Sequence, residues 1–207
     1  MDLHQSWLAL PDSLQQRLNE HLAPLEWKYQ QAQAPRAVHQ LLPFYPNTSL
    51  IRLEDRENWK AILPLYFVAT ETEFYPLDGA SPVVHRINFK APLSLDTSNI
   101  LDYLKFFCFF VRSEEGPFLI FERPNDMKFI KIGDQDTEKL IKEHIKPAQF
   151  NGINSKGEFL YSAIVYYGDI LFKTSFAINT AGTVEMFNDK KIADNLNNLN
   201  SQPDAPL

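Results

Sequence analysis

The 207-residue chain carries 20 Lys and Arg against 26 Asp and Glu, a formal net charge of −6, with 44% hydrophobic and 22% charged residues. These are the proportions of a globular domain and exclude a disordered or fibrous chain. Seven glycines are few for chemistry built on glycine-rich phosphate loops, and an acidic pI of about 5.4 excludes the basic face of a dedicated nucleic-acid binder.

Residues 1–45 read as a helical N-terminal arm. Pro11 opens a helix, and Leu14, Leu18 and Leu22 repeat every four residues to give one narrow apolar stripe. Ala23-Pro24 is expected to end that helix, and a second is expected from Leu25 to about Gln33. From residue 46 to 190 the chain reads as an α+β core domain. Strands are expected over Ser49–Leu53 and Lys60–Thr70, then a loop over Phe74–Ser81. Val83–Lys90 alternates, placing Val83, His85, Ile87 and Phe89 on one side.

A helix of about 97–112 follows. Asp96, Thr97 and Ser98 can cap it, Gly116-Pro117 lies beyond its end, and it is apolar nearly all round, as a buried helix is. Phe109 falls on its thin polar stripe and is expected to project as an interaction surface. Phe118–Arg123 and Lys128–Ile132 read as a hairpin, and Thr137–Ile145 as a short helix. Four strands then form an antiparallel meander: Ala148–Ile153, Glu158–Tyr167, Ile170–Ile178 and Thr183–Phe187. Residues 191–207, rich in Asn, Asp and Pro, read as a frayed tail.

The Gly168-Asp169 corner fixes a register. A two-residue hairpin loop pairs Tyr167 with Ile170, then Val165 with Phe172, Ala163 with Thr174, Tyr161 with Phe176 and Phe159 with Ile178. All five pairs share one face, and a one-residue slip would scatter them. That aromatic face needs a cover, and the apolar helix is the obvious one. The expected fold is therefore α+β, a mainly antiparallel curved sheet packed on one buried helix. Its element order, and nothing more, resembles cystatin-like and nuclear-transport-factor-like cone folds.

Chemistry is sparse. Gly-x-Ser-x-Gly, His-Glu-x-x-His and Cys-x-x-Cys are all absent. Gly152–Gly157 has the glycine spacing of a phosphate loop, but Glu158-Phe159 stands where Lys-Ser/Thr is required, so it reads as a hairpin turn. The single Cys108, among four phenylalanines, reads as a buried hydrophobe rather than a nucleophile. The five histidines lack metal-ligand spacing. No metal and no cofactor is implied.

The leading expectation is a non-catalytic binding or protein-interaction domain in the cytoplasm, with a homo-oligomer or another protein as partner. No nucleic acid and no membrane is expected. The alternative is a small-pocket enzyme. In it a buried His85 acts with a nearby carboxylate or Tyr161, Arg86 clamps a carboxylate, and Tyr161, Tyr166 and His85 line a cavity suited to a small apolar ligand.

Overall fold

The structure, a computed structural model, describes residues 7–29, 36–54 and 66–198, the side chains of 24–29 and 198 excepted. In chain order the elements begin with β1 (Leu8–Ala9), α1 (Asp12–Tyr29), β2 (Ala37–Leu41), β3 (Ser49–Leu53), β4 (Tyr66–Ala69) and β5 (Phe74–Pro76). Helices α2 (Ser81–Lys90) and α3 (Ile100–Phe110) follow, then the short strands β6 (Arg112–Ser113), β7 (Gly116–Pro117) and β8 (Leu119–Phe121). After a 3-10 turn (Pro124–Phe129) come β9 (Ile130–Lys131), α4 (Gln135–His144), β10 (Gln149–Ile153), β11 (Phe159–Tyr167), β12 (Ile170–Ile178), β13 (Val184–Ala193) and β14 (Asn197–Asn198).

The protein is α+β, and its strand pairings are all antiparallel. Instead of one curved sheet there are two five-stranded sheets. The first runs β1-β2-β3-β4-β5, and the second runs β10-β11-β12-β13, with β8 beside the far half of β11. The cause of the division is α2. Val83–Lys90, expected as a strand, is helical, so among the described residues no strand links one sheet to the other.

The buried helix α3 lies between the sheets. A single apolar cluster joins Leu50, Tyr66 and Val68 of the first sheet and Val84 and Ile87 of α2 to Tyr103, Leu104 and Phe106 of α3. It continues to Tyr161, Val165, Phe172 and Phe176 of the second sheet. Each sheet is covered on its other face as well. Leu18 and Leu22 of α1 pack on Ile51, Leu53 and Phe67. Ile141 of α4 packs with Phe121, Ile164, Tyr166 and Leu171. The layers run helix, sheet, helices, sheet, helix. Tyr66–Ala69 is buried at every position, as a strand covered on both faces must be.

The β11–β12 register is the one expected, from Tyr167 opposite Ile170 to Phe159 opposite Ile178. Gly168, at φ +64°, takes the left-handed conformation that the corner requires. The rings on this face are buried against the cluster that contains α3.

Other expectations are corrected. Helix α1 runs through Ala23-Pro24 to Tyr29, and residues 30–33 of the second helix expected there lie outside the described residues. Residues 37–41 form a strand, and Phe44 and Tyr45 sit fully in the core. Phe74–Pro76, read as loop, is a strand. Of the strand expected over Lys60–Thr70, β4 is described and residues 60–65 lie outside. The 118–132 hairpin does not form. The Asp126 carboxylate accepts from the Glu122 and Arg123 amides at 2.7 and 2.8 Å, winding the chain into a 3-10 turn. As a result β8 pairs with β11, and β9 with β14. Residues 191–198 are not frayed. They finish β13 and form β14, while the amide of the buried Leu196 donates to the Asp169 carbonyl at 2.9 Å. Residues 199–207 lie outside the described residues.

Candidate functional site

Helix α2 begins at Ser81-Pro82, where proline suits the first turn because its missing N–H would be unbonded anyway. Val84 and Ile87, three apart, are buried, and Val83 packs beside them. At helical spacing that leaves Pro82, His85, Arg86, Phe89 and Lys90 on the opposite side, and all five are exposed. Phe89 is 86% exposed, the most exposed of the large apolar side chains described. No acidic residue lies on the helix. Among the described residues neither Arg86 nor Lys90 has an ion-pair partner. The outcome is a cationic stripe with an aromatic tip on a chain of net charge −6.

The helix is held rigidly from behind. The Asn88 side-chain amide donates to the Tyr103 hydroxyl at 2.8 Å and to the Ala181 carbonyl at 3.2 Å. The Asn88 carbonyl oxygen accepts from the Tyr45 hydroxyl. Tyr103 in turn donates to the Gly182 carbonyl at 2.7 Å. Burial holds both phenols well above their ordinary pKa, so they are neutral donors. One carboxamide thus ties α2 to the loop before β3, to α3 and to the β12–β13 turn.

The residues expected to form a pocket do not meet. His85 is not on an inward strand face. It lies on the solvent face of α2, its ring 5.9 Å from that of Phe107. Arg86 is its exposed neighbour. Tyr161 is buried on the face of β11 toward α3, its ring 5.3 Å from Phe150, and burial raises its pKa. Tyr166 is buried on the opposite face, donates to the Leu196 carbonyl at 2.9 Å, and is pushed up to about 12, mainly by burial. Phe109, expected to project, is 3% exposed. It packs against Tyr66 and Phe110, with the Arg112 guanidinium over its ring. The polar stripe of α3 is used elsewhere, since Lys105 pairs with Glu122 and the Ala148 amide donates to the same carboxylate at 3.0 Å.

The sequence reading missed one contact with a catalytic look. His39 Nδ1 lies 3.1 Å from the Ser49 hydroxyl, on adjacent strands of the first sheet. Both residues are buried, and burial lowers the His39 pKa, which keeps the imidazole neutral. A nucleophile needs room for the reacting carbonyl and donors for the developing oxyanion. This pair is packed among strands, and we read it as a buried polar contact. Among the described residues no three His, Cys, Asp or Glu side chains gather closely enough to hold a metal ion. Nor is any helix there long and apolar enough to cross a membrane.

No protein-family model matches the chain, and neither does any curated protein or solved structure.

Proposed function

We propose that the protein is an interaction domain that docks an acidic, apolar-tipped protein segment on the outer stripe of α2. The observation that carries the reading is Phe89, 86% exposed between Arg86 and Lys90 on a helix with no acid of its own; among the described residues neither cation makes an ion pair, and Arg86 acts only on the neighbouring Tyr75. A single exposed apolar side chain needs no explanation. An exposed aromatic flanked by cations is different, because aromatic and arginine side chains dominate binding energies at interfaces. Preorganisation supports the reading too: the Asn88 clamp fixes the helix before any partner arrives, which lowers the ordering cost of association. A chain of net charge −6 repels an acidic segment as a whole, so a cationic stripe is the place where one can be held.

The test is fluorescence anisotropy of the intact chain with a labelled peptide of alternating glutamate and leucine. Anionic phosphatidylserine vesicles and a single-stranded oligonucleotide serve as competing probes. The peptide is expected to bind, roughly tenfold more weakly to Phe89→Ala and more weakly still to Arg86→Glu/Lys90→Glu, with affinity falling as salt rises. Peptide binding that ignores these substitutions would overturn the proposal, as would binding of vesicles or oligonucleotide alone.

A further inference from the structure

Sheet edges are templates for pairing with another chain, and proteins guard them with short strands, proline, charge or bulges. Most edges here are guarded. In the first sheet β1 has two residues, and β5 has three and ends in Pro76. In the second sheet β13 carries Glu185, Asp189, Lys190 and Lys191, and its register with β12 shifts twice. Among the described strands the least guarded long edge is β10; β8, likewise unpaired on its outer side, has only three residues. Gln149–Ile153 has no charge and no proline, and it sits inside the uncharged run from Pro147 to Ser155. Among the described residues no strand pairs with its outer edge.

The one guard on this edge is a bulge between Phe150 and Gly152, and it also gives the strand an apolar side. Phe150 lies opposite Tyr161, and Ile153 lies opposite Phe159. Residues three apart on a regular strand point to opposite faces. The extra residue restores the phase, so both side chains join the α3 side of the sheet. There they remain 40% and 54% exposed, a greasy ledge beside a bare strand.

We infer that β10 pairs antiparallel with β10 of a second copy, joining the two second sheets across a twofold axis. A copy of this chain is acidic, and a locally neutral surface can meet itself without like-charge repulsion; the uncharged β10 run provides one. By sequence the last nine residues are a poor occupant, because Pro203 and Pro206 lack the amide donors that a ladder needs. The interface depends on β10 and not on α2, so it stands apart from the peptide-docking proposal.

Light scattering of the full chain across a concentration series tests the pairing. A mass approaching twice 23.9 kDa is expected at high concentration, with Ile153→Lys and Phe150→Lys remaining monomeric at an unchanged circular-dichroism spectrum. Should a lysine variant fail to fold, Gln149→Lys decides the matter: Gln149 is already exposed and polar, so the substitution leaves the core alone, still puts charge on the edge, and should keep the chain monomeric. A chain that stays monomeric at every concentration would overturn the inference. So would a dimer that survives Ile153→Lys, or one dispersed by Phe89→Ala.

Discussion

Asn88 donates to the Tyr103 hydroxyl at 2.8 Å, while that hydroxyl donates in turn to the Gly182 carbonyl at 2.7 Å. The three groups are so close that position 182 tolerates no side chain. A Cβ there would lie 2.3 Å from Asn88 Nδ2 and 2.4 Å from the Tyr103 hydroxyl, and Gly182 has φ +78°. Left-handed backbone costs a non-glycine residue ~1–2 kcal/mol, and overpacking commonly adds ~1–3 kcal/mol. Gly182→Ala is therefore expected to destabilise by roughly 2–5 kcal/mol, read as a lower denaturant midpoint at unchanged slope. A midpoint equal to that of the parent would show that the clamp is loose.

The ribbon β11–β12 was readable because turn chemistry and face segregation agree independently. Gly168-Asp169 fixes the corner, and only one register collects the large rings. Period-two alternation also separates Tyr161 from Tyr166, so their opposite faces were implied by the sequence itself. Helix α2 was misread because Val83, Val84, Ile87 and Phe89 fit a strand and a helix alike, and β-branched residues tilt the choice toward strand. The outvoted signal was Pro82 at a helix first turn. That single error hid the division into two sheets, turned His85 inward and buried Phe89. The Asn88 clamp joins positions 45, 88, 103 and 182, and no local pattern announces contacts of that range.

Cys108 should be inert in the native state. Burial pushes its thiol up to about 12, so at neutral pH almost no thiolate exists to react. Alkylation by iodoacetamide is expected to be undetectable in native buffer and to begin only as denaturant opens the core. Labelling of the folded chain at the rate of an exposed thiol would contradict the packing of α3.

Three groups, His39, His21 and Glu122, make stability fall with acid, in two separate windows. Burial lowers the His39 pKa below the ordinary 6.5. As pH drops through 6.5 the unfolded chain takes up the proton first, and the native state loses ground until pH passes the folded value. His21 shifts the same way for the same reason, so His39→Gln should flatten this slope only in part. Burial pushes Glu122 up, but the Lys105 ammonium and the Ala148 amide outweigh it and hold its pKa below 4.5. Its contribution is fully present above 4.5 and is lost as pH falls through the lower folded value. Urea midpoints from pH 8 to 3 should show both descents, and Glu122→Gln should remove part of the second. An acid limb unchanged by Glu122→Gln would mean that the Lys105 pair contributes nothing.

Because α3 faces both sheets, its loss should be felt more widely than a loss under α1. Phe106 is fully buried, with ring centroids 5.3 Å from Phe44 and 4.9 Å from Phe110, in the cluster that also holds Tyr161 and Phe176 of the second sheet. Leu18 is equally buried, but it belongs to the separate cluster between α1 and the first sheet. Truncating either to alanine costs roughly 2–5 kcal/mol by lost transfer energy and cavity formation. The difference lies in where that cost appears. Amide hydrogen exchange on Phe106→Ala should lose protection in β3 and β4 and in β11 and β12 together. Leu18→Ala should loosen α1, β3 and β4 while β11 and β12 keep the protection of the parent chain. Loss confined to one sheet in Phe106→Ala would mean that the helix between the sheets does not couple them.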